Sequence, residues 1–426
     1  MRSVHSGLRT AVLALAILAV AAATTAAADN QGYLYGRVET DSGREYTGFL
    51  RWGTEEACWD DLFHSAKEEL PYLDEADRLG REDRDDREER SSRRHHRRQI
   101  HIFNQTITLD GEQLVSIGEP SRLFIARFGD IARIEVTGDS DADVHMKNGS
   151  VIEVSGYSND VSGTIRVDDA SLGRIDLHWD RIESIEFMAP PPNLDRDVYR
   201  LHGVAETDAG RFEGFIQWDK EECLSSDLLD GDAEDGTVSI AFGQIRSIER
   251  RGRSGSTVEL KDGRSMRLRD SNDVDSDNRG IMVEDPRYGR LTINWSEFER
   301  LTFSDPGSSG RGYDEFPAGG RLKGTVVDTR GHESTGEIAF DLDESEDWEM
   351  LNGSFEGVDY DIPLRNVRVI RPSSLDRTDV ILRNGEELHL EDSQDVSEDN
   401  DGVLIRTASG EPTYLEWDEI EEIRLD

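Results

Sequence analysis

One pattern of glycines and aromatic residues occurs three times in this chain of 426 residues, and it constrains the fold more than any other feature. In each occurrence two glycines stand seven residues apart, and a third glycine precedes an aromatic residue by four positions. The three segments are residues 36–52, 203–218 and 324–340. Repeats of this kind form units that pack on their neighbours. We therefore divide the chain into copy 1 (residues 29–189), copy 2 (194–305) and copy 3 (320–426).

The second half of each copy is equally regular. An Asn-Gly or Asp-Gly pair predicts a tight hairpin turn, because both residues tolerate the positive φ that such a turn requires. These turns end at Gly149, Gly263 and Gly385. An aspartate followed by valine comes next, at Asp160, Asp273 and Asp395. Alternating apolar and polar residues, as in 174–179, predict strands with one buried face.

Large aromatic residues occupy matching places in both halves of every copy. They are Trp52, Trp179, Trp218, Trp295, Phe340 and Trp417. Because they alternate with aliphatic residues, we expect them in the core, where large aromatics dominate the packing of a small unit. The alternative is that they form sugar-binding platforms. Trp59 and Trp348 fall in acidic stretches and are expected to be exposed.

The sequence thus predicts an all-β protein of three tandem copies, each made of two small β units of small-barrel or sandwich-like form. In strand pattern the units resemble Sm-like and SH3-like small barrels, a resemblance that implies a fold but no function. Breaker-rich connectors at 190–193 and 305–320 are predicted to separate the copies. Copy 1 also carries a charged insertion at about residues 64–100, which is predicted to be either an exposed helix or a disordered segment.

The first 28 residues have the pattern of a secretory signal peptide. Arg2 and Arg9 supply positive charge, residues 11–23 form an apolar run, and residues 26–28 are alanines suited to cleavage. The apolar run is too short to span a bilayer, although a retained anchor is the alternative interpretation. We therefore expect a periplasmic or extracellular protein without an integral membrane segment after cleavage.

Acidity restricts the partners of the chain. The formal net charge is −42, and without residues 1–28 it is −44, from 47 basic and 91 acidic residues. Such a surface repels nucleic acid and anionic lipid. The expected partner is a protein or a polysaccharide, and nucleic acid is excluded. A salty habitat and a biased genome composition are both open as origins of the acidity.

A calcium-loop spacing occurs once, in residues 273–284. Asp273, Asp275, Asp277 and Glu284 stand at positions 1, 3, 5 and 12 of such a loop. Asn278 replaces the usual glycine, and the flanking residues look like strands. The sequence therefore gives these four residues as a candidate metal site, with a solvated loop between strands as the alternative interpretation. No other cofactor is expected.

Two cysteines, Cys58 and Cys223, follow their tryptophans by six and five residues. An oxidising compartment would permit a disulfide. Matching positions in successive repeats usually lie one repeat apart, which is farther than a disulfide can reach. This argument predicts that the two thiols are separated, and the disulfide stays as the alternative.

No familiar catalytic motif is found, and no histidine recurs at one aligned place in all three copies. No residue is therefore assigned a catalytic role. The sequence favours an exported, non-enzymatic binding or structural repeat protein. One alternative is a secreted polymer hydrolase whose carboxylates include Asp160, Asp273 or Asp395, and another is a weak calcium-binding module.

Overall fold

The computed structural model describes residues 29–73, 75–76, 78–79, 99–102, 105–108, 122–156, 160–194, 196–408 and 410–426. The predicted signal peptide and residues 80–98 of the charged insertion lie outside these ranges. Strands dominate the described part, joined by short 3-10 turns and by helical residues within 71–79. The prediction of an all-β fold is confirmed. None of the helices in these ranges is long and apolar enough to cross a membrane.

The described ranges contain thirty-two antiparallel strands. In copy 1 they are β1 (Tyr35–Thr40), β2 (Glu45–Trp52), β3 (Leu62–Lys67), β4 (Gln99–Ile102), β5 (Gln105–Thr108), β6 (Arg122–Arg127), β7 (Ile131–Val136), β8 (Asp141–Met146), β9 (Val151–Ser155), β10 (Thr164–Asp169), β11 (Gly173–His178) and β12 (Ile182–Phe187). In copy 2 they are β13 (His202–Thr207), β14 (Gly210–Gln217), β15 (Leu228–Ala233), β16 (Gly236–Ala241), β17 (Ile245–Arg250), β18 (Ser256–Leu260), β19 (Ser265–Leu268), β20 (Ile281–Asp285), β21 (Gly289–Ile293) and β22 (Phe298–Phe303). In copy 3 they are β23 (Lys323–Asp328), β24 (Glu333–Phe340), β25 (Met350–Phe355), β26 (Val358–Pro363), β27 (Val367–Ser374), β28 (Arg377–Leu382), β29 (Glu387–Glu391), β30 (Val403–Thr407), β31 (Pro412–Leu415) and β32 (Ile420–Leu425).

Short 3-10 turns join several strands. They are Phe128–Asp130, Trp179–Arg181, Phe242–Gln244, Tyr313–Glu315, Leu364–Asn366, Gln394–Val396 and Trp417–Glu419.

The strands of the three copies pair in the same way. In copy 1 the pairs are β1–β2, β1–β12, β2–β10, β10–β11, β7–β12, β7–β8, β8–β9 and β3–β6. Copy 2 has the corresponding pairs β13–β14, β13–β22, β14–β20, β20–β21, β17–β22, β17–β18, β18–β19 and β15–β16. Copy 3 has β23–β24, β23–β32, β24–β30, β30–β31, β27–β32, β27–β28, β28–β29 and β25–β26. Strands from the two halves of a copy pair with each other, so the two predicted units of a copy are joined.

The glycine that precedes the aromatic residue by four positions has no room for a side chain. A Cβ atom would lie 2.1 Å from a carbonyl oxygen of the neighbouring strand at Gly48, 1.9 Å at Gly214 and 2.1 Å at Gly336. Distances below about 3 Å force the backbone apart. The close approach of β2 to β10, and of the matching strands in the other copies, therefore explains why this glycine belongs to the repeated pattern.

The predicted hairpins are confirmed, because β8–β9, β18–β19 and β28–β29 turn at the Asn-Gly or Asp-Gly pairs. The turn glycines have φ values of 90° at Gly149 and Gly263 and 95° at Gly385. These conformations are in the region that favours glycine. The sequence signal and the backbone geometry therefore agree in all three copies.

The core prediction for the six matching aromatic residues is also confirmed. Their exposed fractions run from 0 % for Trp52, Trp218 and Phe340 to 6 % for Trp417. The expectation that Trp59 and Trp348 are exposed is wrong, since they are 0 % and 1 % exposed. Trp59 packs between Phe187 of its own copy, at 6.0 Å, and Tyr313 of the connector, at 4.6 Å. Trp348 of copy 3 packs on Phe124 of copy 1 at 5.8 Å.

The insertion in copy 1 has different limits from those the sequence suggested. Residues 64–67 belong to β3, which pairs with β6 as β15 pairs with β16 in copy 2. Residues 68–121 therefore stand where copy 2 has only the turn 234–235. Part of the segment packs on copy 3, where Tyr72, Leu73 and Ala76 contact the apolar cluster of Ala339 and Leu404.

Both breaker-rich connectors are packed against the rest of the chain. Asn30 Nδ2 donates to the carbonyl oxygen of Pro191 at 3.0 Å, and the backbone N–H of Gly32 donates to Ser309 Oγ at 2.8 Å. Phe316 is 3 % exposed. Copies 2 and 3 share one sheet through the β21–β26 pair. The copy boundaries themselves stay a prediction.

Candidate functional site

A glutamate faces the repeated aspartate in every copy, and these carboxyl pairs are the candidate site. The pairs are Glu56 with Asp160, Glu222 with Asp273, and Glu344 with Asp395. Each glutamate follows the repeated aromatic residue by four positions. It is held there because its carbonyl oxygen accepts from the backbone N–H of that aromatic residue, at 2.7–2.8 Å in all three copies.

The aspartates make one bond that is the same in each copy. A carboxylate oxygen accepts from a backbone N–H at the start of the third strand of the copy, at 2.7 Å in copy 1, 2.6 Å in copy 2 and 2.7 Å in copy 3. The donors are His64, Asp230 and Asn352. In copies 1 and 2 the indole N–H of Trp52 or Trp218 also donates to the aspartate's carbonyl oxygen at 2.8 Å.

Burial and like charge raise the pKa of the three glutamates and of two of the aspartates. Burial, followed by the neighbouring Asp273, raises the pKa of Glu222 to about 9. Burial also raises the pKa of Asp273 to about 6 and that of Asp395 to about 7. For Glu56 and Glu344 the direction is the same and burial is again the main cause. Two adjacent buried carboxylates cannot both be ionised without a counter-charge, so each pair can hold a proton or help to bind a cation.

Copy 3 brings a third carboxylate to its pair. Oxygens of Asp341, Glu344 and Asp395 lie within 4.8 Å of one another, and among the described residues this is the group that fits a metal ion. Gly53 stands in the place of Asp341 in copy 1. Asp219 stands there in copy 2, where its carboxylate accepts from the backbone N–H of Arg279 at 2.5 Å and from its Nε at 3.3 Å.

The four residues of the predicted calcium loop point to different partners. Asp273 lies with Glu222, and Asp275 Oδ1 accepts from the backbone N–H of Asp277 at 3.0 Å. Asp277 is exposed. The Glu284 carboxylate is held by Arg127 and by Arg290, whose Nε lies 3.3 Å from Glu284 Oε2. The structure thus places Asp273 in a carboxyl pair, and the other three side chains do not join it there.

The sequence interpretation missed the glutamates of the three pairs and also missed Asp341. A signal for the glutamates was available, because an acid follows the aromatic residue by four positions in all three copies. The role of Asp341 carries no such signal, since its position varies between glycine and aspartate.

A second set of repeated acids ties the copies together. Asp61, Asp227 and Glu349 each accept two backbone N–H bonds from the turn that precedes them, at 2.6–3.0 Å. Each also pairs with a cation from another copy. The pairs are Asp61 with Arg290 at 3.1 Å, Asp227 with Arg51 at 3.2 Å, and Glu349 with Lys67 at 2.7 Å.

Further buried ion pairs join copy 1 to its neighbours. Asp60 accepts from Arg200 at 3.1 Å and from Arg311 at 2.8 Å. Burial by itself would raise the pKa of Asp60, but the two guanidinium groups outweigh it and lower the pKa to about 2. Asp130 of copy 1 pairs with Arg365 of copy 3 at 2.5 Å. Copy 1 is therefore linked through charge to both other copies.

Cys58 and Cys223 are close together, so the expectation that they are separated is wrong. Both are free and buried in the same cluster of side chains, and the Cys58 thiol is in close enough contact with Cys223 to act on its pKa. This contact, with burial as the next cause, raises the pKa of Cys223. The reason is local symmetry: Arg51 donates to the carbonyl oxygen of Glu221 at 2.8 Å, and Gln217, which matches Arg51, donates to that of Glu55 at 3.4 Å. Residues near such a pseudo-two-fold axis meet their own counterparts.

Comparison with known proteins gives little. No family model matches the chain, and no curated protein matches it. A solved structure described as a streptogramin B lyase structure is similar at 11 % identity over 70 % of this chain and 94 % of that chain, with a TM-score of 0.13. A likeness at that TM-score carries no argument about fold or function.

Proposed function

We propose that the protein is an exported, non-enzymatic repeat protein that serves as a binding or structural module in the cell envelope or the extracellular space. The observation that carries the proposal is the common bond of the repeated aspartates. Asp160, Asp273 and Asp395 recur in the sequence, and each fixes the third strand of its copy through the same backbone N–H. A structural role that is identical in three copies accounts for their recurrence without catalysis.

The cross-copy ion pairs support the same proposal. Salt bridges buried at contacts between copies hold the three copies in one geometry, because separating them would leave charges unpaired in an apolar setting. A body held in this way presents a constant surface to a partner. The acidic charge favours a partner that is cationic or neutral, such as a basic protein segment or a polysaccharide. The buried tryptophans are not available to stack on sugars, so binding would use the outer strands and loops.

Two observations bear on the hydrolase alternative. The raised pKa of the half-buried Glu222 is typical of catalytic acids. A cavity of about 490 Å³ also has Glu213 and Asp285 in its wall. The Asp285 carboxylate there is held by Arg287 at 2.7 Å and by the backbone N–H of Glu213 at 3.1 Å.

Export and binding are tested together on the full chain. We expect cleavage after Ala28 and recovery of the product from the periplasm or the medium. The mature protein is then co-sedimented with insoluble polysaccharides and with basic protein-coated beads, and reducing ends are measured in the supernatant. Binding without release of reducing ends supports the proposal. Release that Asp273→Asn abolishes would establish the hydrolase alternative, and a chain that keeps residues 1–28 in the cytoplasm would refute export.

A further inference from the structure

The carboxyl cluster of copy 3 carries more negative charge than its counterparts. Asp341, Glu344 and Asp395 are 1 %, 7 % and 7 % exposed, and their oxygens lie within 4.8 Å of one another. In copy 2 the matching Asp219 is neutralised within its own copy by Arg279. In copy 1 the matching residue is Gly53, which brings no charge.

The position of Arg279, which neutralises Asp219 in copy 2, is occupied in copy 3 by a residue of the opposite charge. Arg279 directly precedes Gly280, and the corresponding residue before Gly402 is Asp401. Two cations from copy 1 lie nearby. Arg122 Nη1 is 3.6 Å from Asp341 Oδ2, and Lys67 Nζ is 3.6 Å from Asp343 Oδ2. Among the described residues these two cations meet a larger set of acids: Asp341, Asp343, Glu344, Glu349, Asp395 and Asp401.

Two oxygens in this region lack a protein partner in the described ranges. They are Glu344 Oε2 and Asp343 Oδ1, and both are fully shielded from solvent. The Asp343 side chain is 5 % exposed, and its charge acts on Asp341, Glu344 and Asp395. Buried carboxylate oxygens normally have a hydrogen-bond donor or a cation, because their desolvation is costly. These unpartnered oxygens therefore point to a ligand that the protein itself does not supply.

We propose that Asp341, Glu344 and Asp395, with Asp343 beside them, bind one divalent cation of the calcium class. Such hard cations select carboxylate oxygens and accept several of them at once. In this arrangement the cation neutralises the carboxylates of copy 3, as Arg279 neutralises Asp219 in copy 2. The site lies inside copy 3 and is independent of the proposed function and of the predicted loop at 273–284.

The proton is the competing occupant of the site. Burial raises the pKa of Asp395 to about 7, and it also raises the pKa of Asp341 and Glu344. Cation binding must therefore displace protons and become stronger with rising pH. A structural cluster that only shares protons would show no saturable cation binding that strengthens with rising pH.

The test is titration of the full chain with Ca²⁺ by calorimetry and with Mn²⁺ by electron paramagnetic resonance, at constant ionic strength. At about pH 8 we expect one saturable site, with a dissociation constant of about 10⁻⁴–10⁻³ M or tighter. Binding should weaken at about pH 6. Glu344→Gln should weaken it tenfold or more. The matched control Glu56→Gln makes the same substitution in the copy that has Gly53, and it should bind as the wild type does.

Two further variants keep the outcome decisive. Asp343→Asn should weaken binding at least threefold, and it replaces Glu344→Gln if circular dichroism shows that Glu344→Gln does not fold. The double variant Asp275→Ala, Asp277→Ala should retain the site. Absence of a saturable site in the wild type, unchanged binding in Glu344→Gln, or loss of binding in the loop variant would overturn the proposal.

Discussion

Trp295 packs against the rings of Trp218 and Phe298, with centroid distances of 6.2 and 5.7 Å, and is 5 % exposed. Replacing Trp295 by alanine removes these contacts and leaves a cavity between strands that cannot close. We expect a loss of about 3–5 kcal/mol in the free energy of unfolding, measured by urea denaturation. Leu172→Ala, at a residue that is 67 % exposed, is the control and should change stability by less than about 0.5 kcal/mol. Equal effects of the two substitutions would contradict the core assignment.

Glu222 is a second single residue with a testable role, because its protonation makes the stability of the protein depend on pH. Its pKa is about 9 in the folded protein and near the ordinary value of 4.5 in the unfolded chain. Between these values the folded state holds a proton that the unfolded state has lost. The contribution of Glu222 to the free energy of unfolding is therefore fully present below about pH 4.5, and it is lost as the pH rises towards 9.

Glu222→Gln should remove this contribution, because glutamine stays neutral at every pH. We expect the variant to gain stability relative to the wild type as the pH rises from 5 to 9, in thermal unfolding followed by circular dichroism. Glu234→Gln, at an exposed position, makes the same charge change and should show no such trend. A constant difference in melting temperature across this range would mean that Glu222 is ionised in the folded protein.

The β14–β20 pair gives a test at the scale of the element. A Cβ atom at Gly214 would lie 1.9 Å from the carbonyl oxygen of Glu284, so Gly214→Ala must push the two strands apart. We expect the free energy of unfolding to fall by about 1–3 kcal/mol, as for other overpacked sites. Gly320→Ala is the control, since no atom lies within 4 Å of a Cβ atom there. Equal unfolding midpoints for the two variants would refute the close approach.

Elements were predictable from the sequence to the extent that their cause is local. The hairpin at Gly263 and the burial of Trp218 follow from turn chemistry and from the alternation of residues, and both were predicted correctly. The burial of Trp59 and the contact of Cys58 with Cys223 depend on how copies pack on one another, which a repeated pattern does not contain. The candidate site divides in the same way: its aspartates and glutamates both recur at fixed spacings in the sequence, whereas their pairing and the addition of Asp341 depend on the folded backbone.

Arg290 is the residue on which a prediction for the whole molecule depends. It is 3 % exposed and binds Asp61 at 3.1 Å, the carbonyl oxygen of Asp60 at 3.0 Å and Gln217 at 3.0 Å. Arg290→Met leaves Asp61 buried at the contact between copies 1 and 2 without its cation. We expect the free energy of unfolding, measured by urea denaturation, to fall by about 3–5 kcal/mol.

Two controls separate this effect from a general loss of charge. Arg211→Met removes an arginine that is 70 % exposed and should cost less than about 1 kcal/mol. Adding Asp61→Asn to Arg290→Met should recover part of the lost stability, because the unpaired charge is then removed. If the two substitutions are additive, the buried ion pair does not couple the copies.

The reciprocal contact between copies 1 and 2, in which Arg51 reaches Glu221 and Gln217 reaches Glu55, also bears on ancestry. A self-complementary patch of this kind is what a homodimer uses, with the same surface contributed by both subunits. A single-copy ancestor carrying the patch would have associated with itself. Gene duplication would then turn that association into an intramolecular one, which holds at any protein concentration because the linker supplies an effective concentration of about millimolar or more.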